Sequence, residues 1–373
     1  MSANDCIKNE AVKSFHRSNP MTDFGMLTKK PRPSGKVSAQ EVAQAAGVSQ
    51  STVSRVLSGK QSHLIGEATR KKVLQIAHEL GYTPNPIAQA LRGSKSNLLG
   101  LIVREIADPF FSKLIAQLSI QARSRGYHIV LGHAGSDPLQ AIELNSYLDM
   151  RHSDGIFLMG DLRGDESLLF DLLRQNRAVV ALCRGASPAS LHTINTDNRL
   201  GIIMLMDHLS SRGHTKYGFV NGGWLGDIRE RVNAYIEYLQ VHNLPDNPEW
   251  IQTDVNTSEG GYRAADKLLR LENIPTAVLA SDDEMAIGVI RRFEEAGLRI
   301  PADISVTGFD NIDFGRFLSP SLTTIEQPVN TMCSEALTMM VRIIDESELI
   351  NGPLLVRVMP ELVIRESAGP VPK

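Results

Sequence analysis

The sequence predicts an α/β protein: a small three-helix domain carrying a helix-turn-helix, a short hinge helix, and a larger two-lobed domain with parallel, doubly wound sheets. Three observations point there. Two short amphipathic patterns meet at Gly47 inside a basic segment. From Leu98 onward, short and nearly continuous apolar runs alternate with helical patterns, as parallel strands covered on both faces require. A helix-glycine-strand junction recurs in SRGYHIVL, SRGHTKYGFV and EAGLRIPADISV, which implies two similar halves.

With 373 residues, 42% of them hydrophobic, the chain has length for two or three domains with real cores. Its three cysteines, Cys6, Cys183 and Cys333, are odd in number and widely spaced. They spell neither a disulfide framework nor a zinc site, so a reducing cytoplasm is expected. The first 20 residues lack an apolar segment, and no run of about 18 apolar residues occurs, which argues against a signal peptide or a membrane span. A net charge of −3 conceals an asymmetry: residues 29–95 hold eleven Lys/Arg against three acids, so this segment is +8 and the remainder −11. A basic module on an acidic one is a usual footprint of phosphate contact, with a merely solvated basic face as the alternative.

Residues 1–36 read as a basic, disordered extension, either an arm that touches DNA or a product of start-site choice upstream of Met21 and Met26. In VSAQEVAQAAGVS, Ser38 and Glu41 have capping-box spacing, Val42, Ala43 and Ala46 share a face, and Gly47 can take the left-handed C-cap conformation. Ser49 then caps a second helix over residues 50–57, with Val53, Val56 and Leu57 inward and Gly59 at its end. A third helix over 68–80 turns Val73, Ile76, Ala77 and Leu80 inward and stops at Gly81. The second helix leaves Gln50, Ser51, Ser54 and Arg55 outward. Arg matches guanine and Gln adenine, and no acid is present to be repelled by phosphates, so this face suits a DNA major groove. A plain phosphate contact is the other role open to Arg55. In YTPNPIAQALRGSKS, Asn85 and Pro86 start a helix of barely two turns, too short to persist alone in water.

The strings VAQAAGVSQSTVSRVL, TRKKV and GYTPNPIAQAL resemble the lac repressor (LacI/GalR) family. The resemblance implies a hinge helix that folds on operator DNA, pairs with its twin in a homodimer and wedges a leucine into the minor groove. Carried over, the DNA-contacting positions are Ser49, Gln50, Ser51, Thr52, Ser54 and Arg55 on the helix-turn-helix, with Asn85, Ala88 and Leu91 in the hinge. Packing within a linker helix is the alternative for Leu91. The resemblance further implies a periplasmic-binding-protein-like fold for the larger domain.

The expected strands are LLGLIV, HIVLG, GIFLM and AVVAL in one half and YGFV, TAVLA and ISVTG in the other. Ligands of such sheets bind beyond the carboxyl ends of the strands. There lie Asp108, Phe110 and Phe111, then Cys183 and Arg184, and in the second half Trp224, Arg231, Asp254, Asp282, Asp310 and Gln327. Carboxylates, an arginine pair, an amide and aromatic faces together suit a ligand with several hydroxyls, a sugar or sugar derivative. The resemblance supports Asp108, Phe110, Arg184, Arg231, Asp282, Asp310 and Gln327 and adds Val255, where an aromatic often packs in the family; Cys183 replaces a common aspartate, and Asp282 stands where asparagine is frequent. Asp310 could instead cap a helix, and Phe110 and Phe111 could be core.

The expected domains are residues 37–83, the hinge 84–96, and an effector and dimerisation domain 97–373. Its lobes are expected at about 97–195 plus 328–350 and about 196–320 plus 354–368. Catalysis finds little support: G-x-S-x-G, H-E-x-x-H and P-loop motifs are missing and the histidines are scattered. A pure solute-binding protein would need export and would have no use for a helix-turn-helix. The expectation is therefore a cytoplasmic, nucleoid-associated homodimeric repressor, not an enzyme, with no metal or cofactor. It binds a pseudo-palindromic operator under control of a small effector of either sign.

Overall fold

The computed structural model describes residues 37–58, 65–82, 95–135, 153–161, 178–185, 191–223, 226–345 and 352–373. The expected extension 1–36 lies outside them, as do the hinge positions Asn85, Ala88 and Leu91. The chain divides into two compact units, residues 1–84 and 85–373.

The first unit contains α1 (Ala39–Ala46), α2 (Gln50–Ser58) and α3 (Glu67–Glu79). Helix α1 starts with a capping box: the Glu41 N–H donates to Ser38 Oγ (3.3 Å) and the Ser38 N–H to Glu41 Oε2 (2.7 Å). This reciprocal pairing satisfies orphan donors of the first turn. Gly47 ends the helix at φ 67°, a conformation a side chain would strain. The Thr52 N–H donates to Ser49 Oγ (3.1 Å), starting α2. Val42, Ala43, Ala46, Val53, Val56, Val73 and Ala77 are the buried core, with Leu57, Ile76 and Leu80 half-buried against it.

The second unit opens with β1 (Leu98–Val103), α4 (Pro109–Ser124), β2 (His128–His133), β3 (Gly155–Met159), β4 (Ala178–Leu182) and β5 (His192–Thr196). These strands are parallel in the order β5-β4-β3-β1-β2. After α5 (Asn198–Ser211) come β6 (Tyr217–Asn221), α6 (Gly226–Val241), β7 (Ile251–Thr253), α7 (Ser258–Leu269), β8 (Ala277–Ala280), α8 (Asp283–Glu295) and β9 (Ser305–Thr307). They form a second parallel sheet, β7-β6-β8-β9. The chain then makes β10 (Thr324–Glu326), α9 (Val329–Ile344), β11 (Leu355–Val358) and β12 (Glu361–Val363).

Helix α9 packs with α4 against β4 and β5, so it belongs to the first lobe. Strand β11 pairs in parallel with β5 at the edge of the first sheet, not within the second lobe as the expected range 354–368 has it. The physical reason is the open edge of β5: the Thr193 N–H donates to Leu354 O (2.9 Å) and the Asp197 N–H to Val358 O (2.9 Å), groups that would otherwise lack protein partners. Only afterwards does the chain return, with β12 antiparallel to β10 and the Val306 N–H donating to Ser367 O (2.9 Å). Three segments, near Thr196, Gln327 and Met359, therefore link the lobes. Among the described residues, no helix is long and apolar enough to cross a membrane.

Candidate functional site: a DNA-facing helix and a cleft between two lobes

On α2 the apolar positions Val53 and Val56 point into the core, which leaves Ser49, Gln50, Ser51, Ser54 and Arg55 exposed and Thr52 half-buried. The hydroxyls of Ser51 (2.7 Å) and Thr52 (2.8 Å) gather on Ser49 Oγ at the start of the helix. An exposed helix N-terminus ringed by hydroxyls suits an anion, and Gln50 and Arg55 present longer donors on the same exposed helix.

The cleft of the second unit encloses about 420 Å³ of non-atom space, open solvent at its mouth included. Its first-lobe wall begins just after β1. Asp108 caps α4, its Oδ1 accepting the N–H groups of Phe110 (2.8 Å) and Phe111 (3.2 Å). This carboxyl is raised above its usual range, chiefly by burial and then by the charge of Asp282. Phe110 and Phe111 serve both roles considered for them: they belong to the first-lobe core and also line the cleft. The Arg104 guanidinium lies 5.4 Å from the Phe111 ring centre, completing this wall with Asp161 and Cys183.

Arg231 organises the second-lobe wall. It projects from α6, is buried, and donates through Nε to Asn198 Oδ1 (2.9 Å) and through Nη1 to the Ser281 carbonyl (2.6 Å). Its guanidinium lies 3.7 Å over the Phe309 ring and 3.5 Å from Asp310 Oδ1. Asp310 has φ 113°, a strained conformation for a non-glycine residue. The Asp310 N–H donates to Ile325 O (2.8 Å), and Gln327 Nε2 donates to Asp310 Oδ1 (2.6 Å), so its carboxylate caps no helix. Gln327 sits where the chain crosses between lobes, and its Oε1 accepts from Thr196 Oγ1 (2.5 Å) at another crossing. Burial pushes the Asp310 carboxyl well above the usual carboxylate range, with Arg231 opposing. Asp282 caps α8 through the Met285 N–H (2.8 Å) and is likewise raised by burial.

Three expected positions fall elsewhere. Cys183 has φ 56° and lines the cleft, whereas its neighbour Arg184 does not. The Arg184 side chain is buried beside it, with Nη2 3.7 Å from Asp161 Oδ1. Val255 is 61% exposed because a local turn, closed by the Thr257 N–H donating to Val255 O (2.8 Å), carries it outward and its neighbour Asn256 inward. Asp254 is held instead by Arg263 (2.5 Å) and Lys267 (3.1 Å), and the Arg263 contact leads in drawing its carboxyl down to about 2. Trp224 lies outside the described residues.

Sequence reasoning missed Arg104, Asp161, Asp227, Ile228 and Asn256, all of which line the cleft. Arg104 and Asp161 follow β1 and β3 closely, so the strand-end rule would have found them. Asp227 stands one helical turn before Arg231 on α6.

Gly185 and Gly226 bring the two walls together. A Cβ on Gly185 would stand 2.5 Å from the Gly226 backbone, and both residues have positive φ. Among the described residues, no group of three or more His, Cys, Asp or Glu is placed to hold a metal ion.

Comparison with known proteins matches residues 38–85 to the family described as bacterial regulatory proteins, lacI family, and residues 206–368 to a periplasmic binding protein-like domain. The HTH-type transcriptional repressor PurR of Pasteurella multocida is 31% identical over 88% of this chain and 97% of its own length. The structure of the lac repressor dimer bound to operator and the anti-inducer ONPF superposes with a TM-score of 0.81 at 24% identity, over 90% of this chain and all of the other. A LacI family transcriptional regulator from Enterococcus faecium with bound ribose is 26% identical over 74% of this chain and 99% of its own, with a TM-score of 0.65.

Proposed function

This chain belongs to the lacI family of bacterial regulatory proteins and is a DNA-binding transcriptional regulator, not an enzyme, and from that premise we propose that a small sugar-like effector held between its lobes sets its affinity for operator DNA. It acts as a homodimeric repressor on a pseudo-palindromic operator, in the cytoplasm where that DNA lies. The observation that carries the effector reading is the chain Arg231–Asp310–Gln327–Thr196, which runs through the cleft and across two of the segments joining the lobes. A ligand that engages it interacts with both lobes at once.

Such a ligand shifts lobe orientation only by its differential affinity for the two arrangements, and the operator affinity changes by the same coupling. An inducer and a corepressor use the same residues with opposite sign. Gln50, Ser51 and Arg55 read the major groove, Ser49, Thr52 and Ser54 support them at the backbone, and Asn85, Ala88 and Leu91 act in the hinge.

The test begins with an operator selected in vitro. Fluorescence anisotropy then follows operator binding by the full-length protein while ribose, hexoses, polyols and nucleosides are added. At least one compound is expected to change the operator Kd in the parent protein and to leave it unchanged in Arg231→Ala. An equal response in the variant would place the effector outside this cleft.

A further inference from the structure

The charge balance of the cleft narrows the effector further, and this step rests on the effector reading above. Asp108, Asp161, Asp227, Asp282 and Asp310 line the cleft against two arginines, Arg104 and Arg231. Asp161 is paired with Arg184 (3.7 Å) and Asp310 with Arg231 (3.5 Å). The Arg231 donors also serve Asn198 and Ser281. Asp227 and Asp282 share Arg231 with Asp310, and Arg104 faces Asp108 and Asp282, so this lining sets five carboxyls against two guanidiniums.

Two buried acceptors point the same way. Asp227 and Asn256 line the cleft, and Oδ1 of each is shielded from water and has no hydrogen-bond partner among the described residues. A buried acceptor without a donor is costly, and a ligand hydroxyl or ammonium supplies the donor. A phosphate or carboxylate offers these oxygens only further acceptors. Burial also raises the Asp227 carboxyl, Arg231 opposing. A donor delivered to Asp227 therefore offsets lost hydration.

We propose that this cleft selects a donor-rich effector without negative charge, a neutral polyol or an amino sugar, and rejects phosphorylated and carboxylated sugars. Asp227 and Asn256 are its specificity-determining acceptors, receiving hydroxyl or ammonium groups.

The experiment uses matched sets on the full-length protein: glucose, glucosamine, glucose 6-phosphate and glucuronate; ribose and ribose 5-phosphate; adenosine and adenosine monophosphate. Thermal shift identifies binders and calorimetry ranks them. In every set with a binder, the anionic member is expected to bind about 100-fold more weakly than its uncharged parent, the scale set by like charges about 5 Å apart in a partly desolvated site. Asp227→Asn is expected to shrink that ratio. An anionic member that binds as tightly as its parent, with binding lost in Arg231→Ala, overturns this inference and leaves the effector reading standing. Failure of every member of every set to bind overturns the effector reading itself.

Discussion

The DNA-facing helix and the inter-lobe cleft solve opposite problems. On α2 the side chains proposed to face DNA are exposed and the apolar ones buried, so each residue has one task and Val53 and Val56 supply the buried anchorage. In the cleft the side chains proposed to meet the effector are themselves buried: Arg231, Asp282, Asp310 and Gln327 are each under a tenth exposed, and Asp310 touches both Arg231 and Gln327. An exposed reader is removable without structural consequence. A buried one is also a structural part, because stripping one member of a desolvated pair leaves the other charged and unpaired.

That contrast is tested most strongly at Arg231. Replacing it with alanine leaves Asp310 buried without its cation, so a loss of about 3–5 kcal/mol in the stability of the effector domain is expected by denaturant unfolding, together with loss of effector response. An unchanged midpoint would contradict the structural half of its role.

Asp283 sharpens the same point through pH. Its carboxyl is fully buried at the start of α8, where Oδ1 accepts from Thr324 Oγ1 (2.5 Å) and Oδ2 from the Ile312 N–H (2.8 Å), and burial lifts it to about 7. Because the folded value lies above the unfolded one, its favourable contribution is fully present below about pH 4. That contribution is lost as pH rises toward 7. Asp283→Asn never ionises, so its stability relative to the parent is expected to climb across that window by roughly 1 kcal/mol or more per pH unit at its steepest. Parallel stability curves for the two proteins between pH 4 and 8 would be incompatible with a carboxyl raised in this way.

Arg55→Ala provides the exposed counterpart. It is expected to weaken operator binding by about 1–3 kcal/mol, to affect random DNA much less, and to leave the unfolding midpoint unchanged. Equal losses on both DNAs would reduce Arg55 to a phosphate contact. The smallest effect belongs to Ser38→Ala, which removes the capping box of α1 and should cost about 1 kcal/mol in the small domain alone. A change in effector affinity in that variant would break the separation drawn here.

The same contrast explains what could be read in the sequence. Helices α1, α2 and α3 were legible because capping residues and a 3.6-residue apolar period are local signals. The strands β1, β3 and β4 were legible as continuous apolar runs. Strand β5, HTINT, was not: its Thr193, Asn195 and Thr196 are buried polar residues whose partners lie far along the chain, such as Asn195 Nδ2 donating to Gly185 O (2.6 Å) and Thr196 to Gln327. Strand β11, LVRV, alternates too briefly to reveal which sheet it joins, and only the open edge of β5 decides it. In the cleft, the strand-end rule located Asp108, Asp282 and Asp310 but could not show that Cys183 would line it and Arg184 would not, since adjacent residues after a strand look alike in sequence.

The central claim is that the cleft and the operator share one free-energy coupling, and reciprocity tests it most directly. Taking any compound that binds the parent protein and fails to bind Arg231→Ala, its Kd is measured by calorimetry with the protein free and then saturated with operator. The operator Kd is measured with and without the compound. The two ratios are expected to be equal and different from one, at about 5–150-fold in either direction. A compound that occupies the cleft with the same Kd whether or not operator is bound would contradict the account.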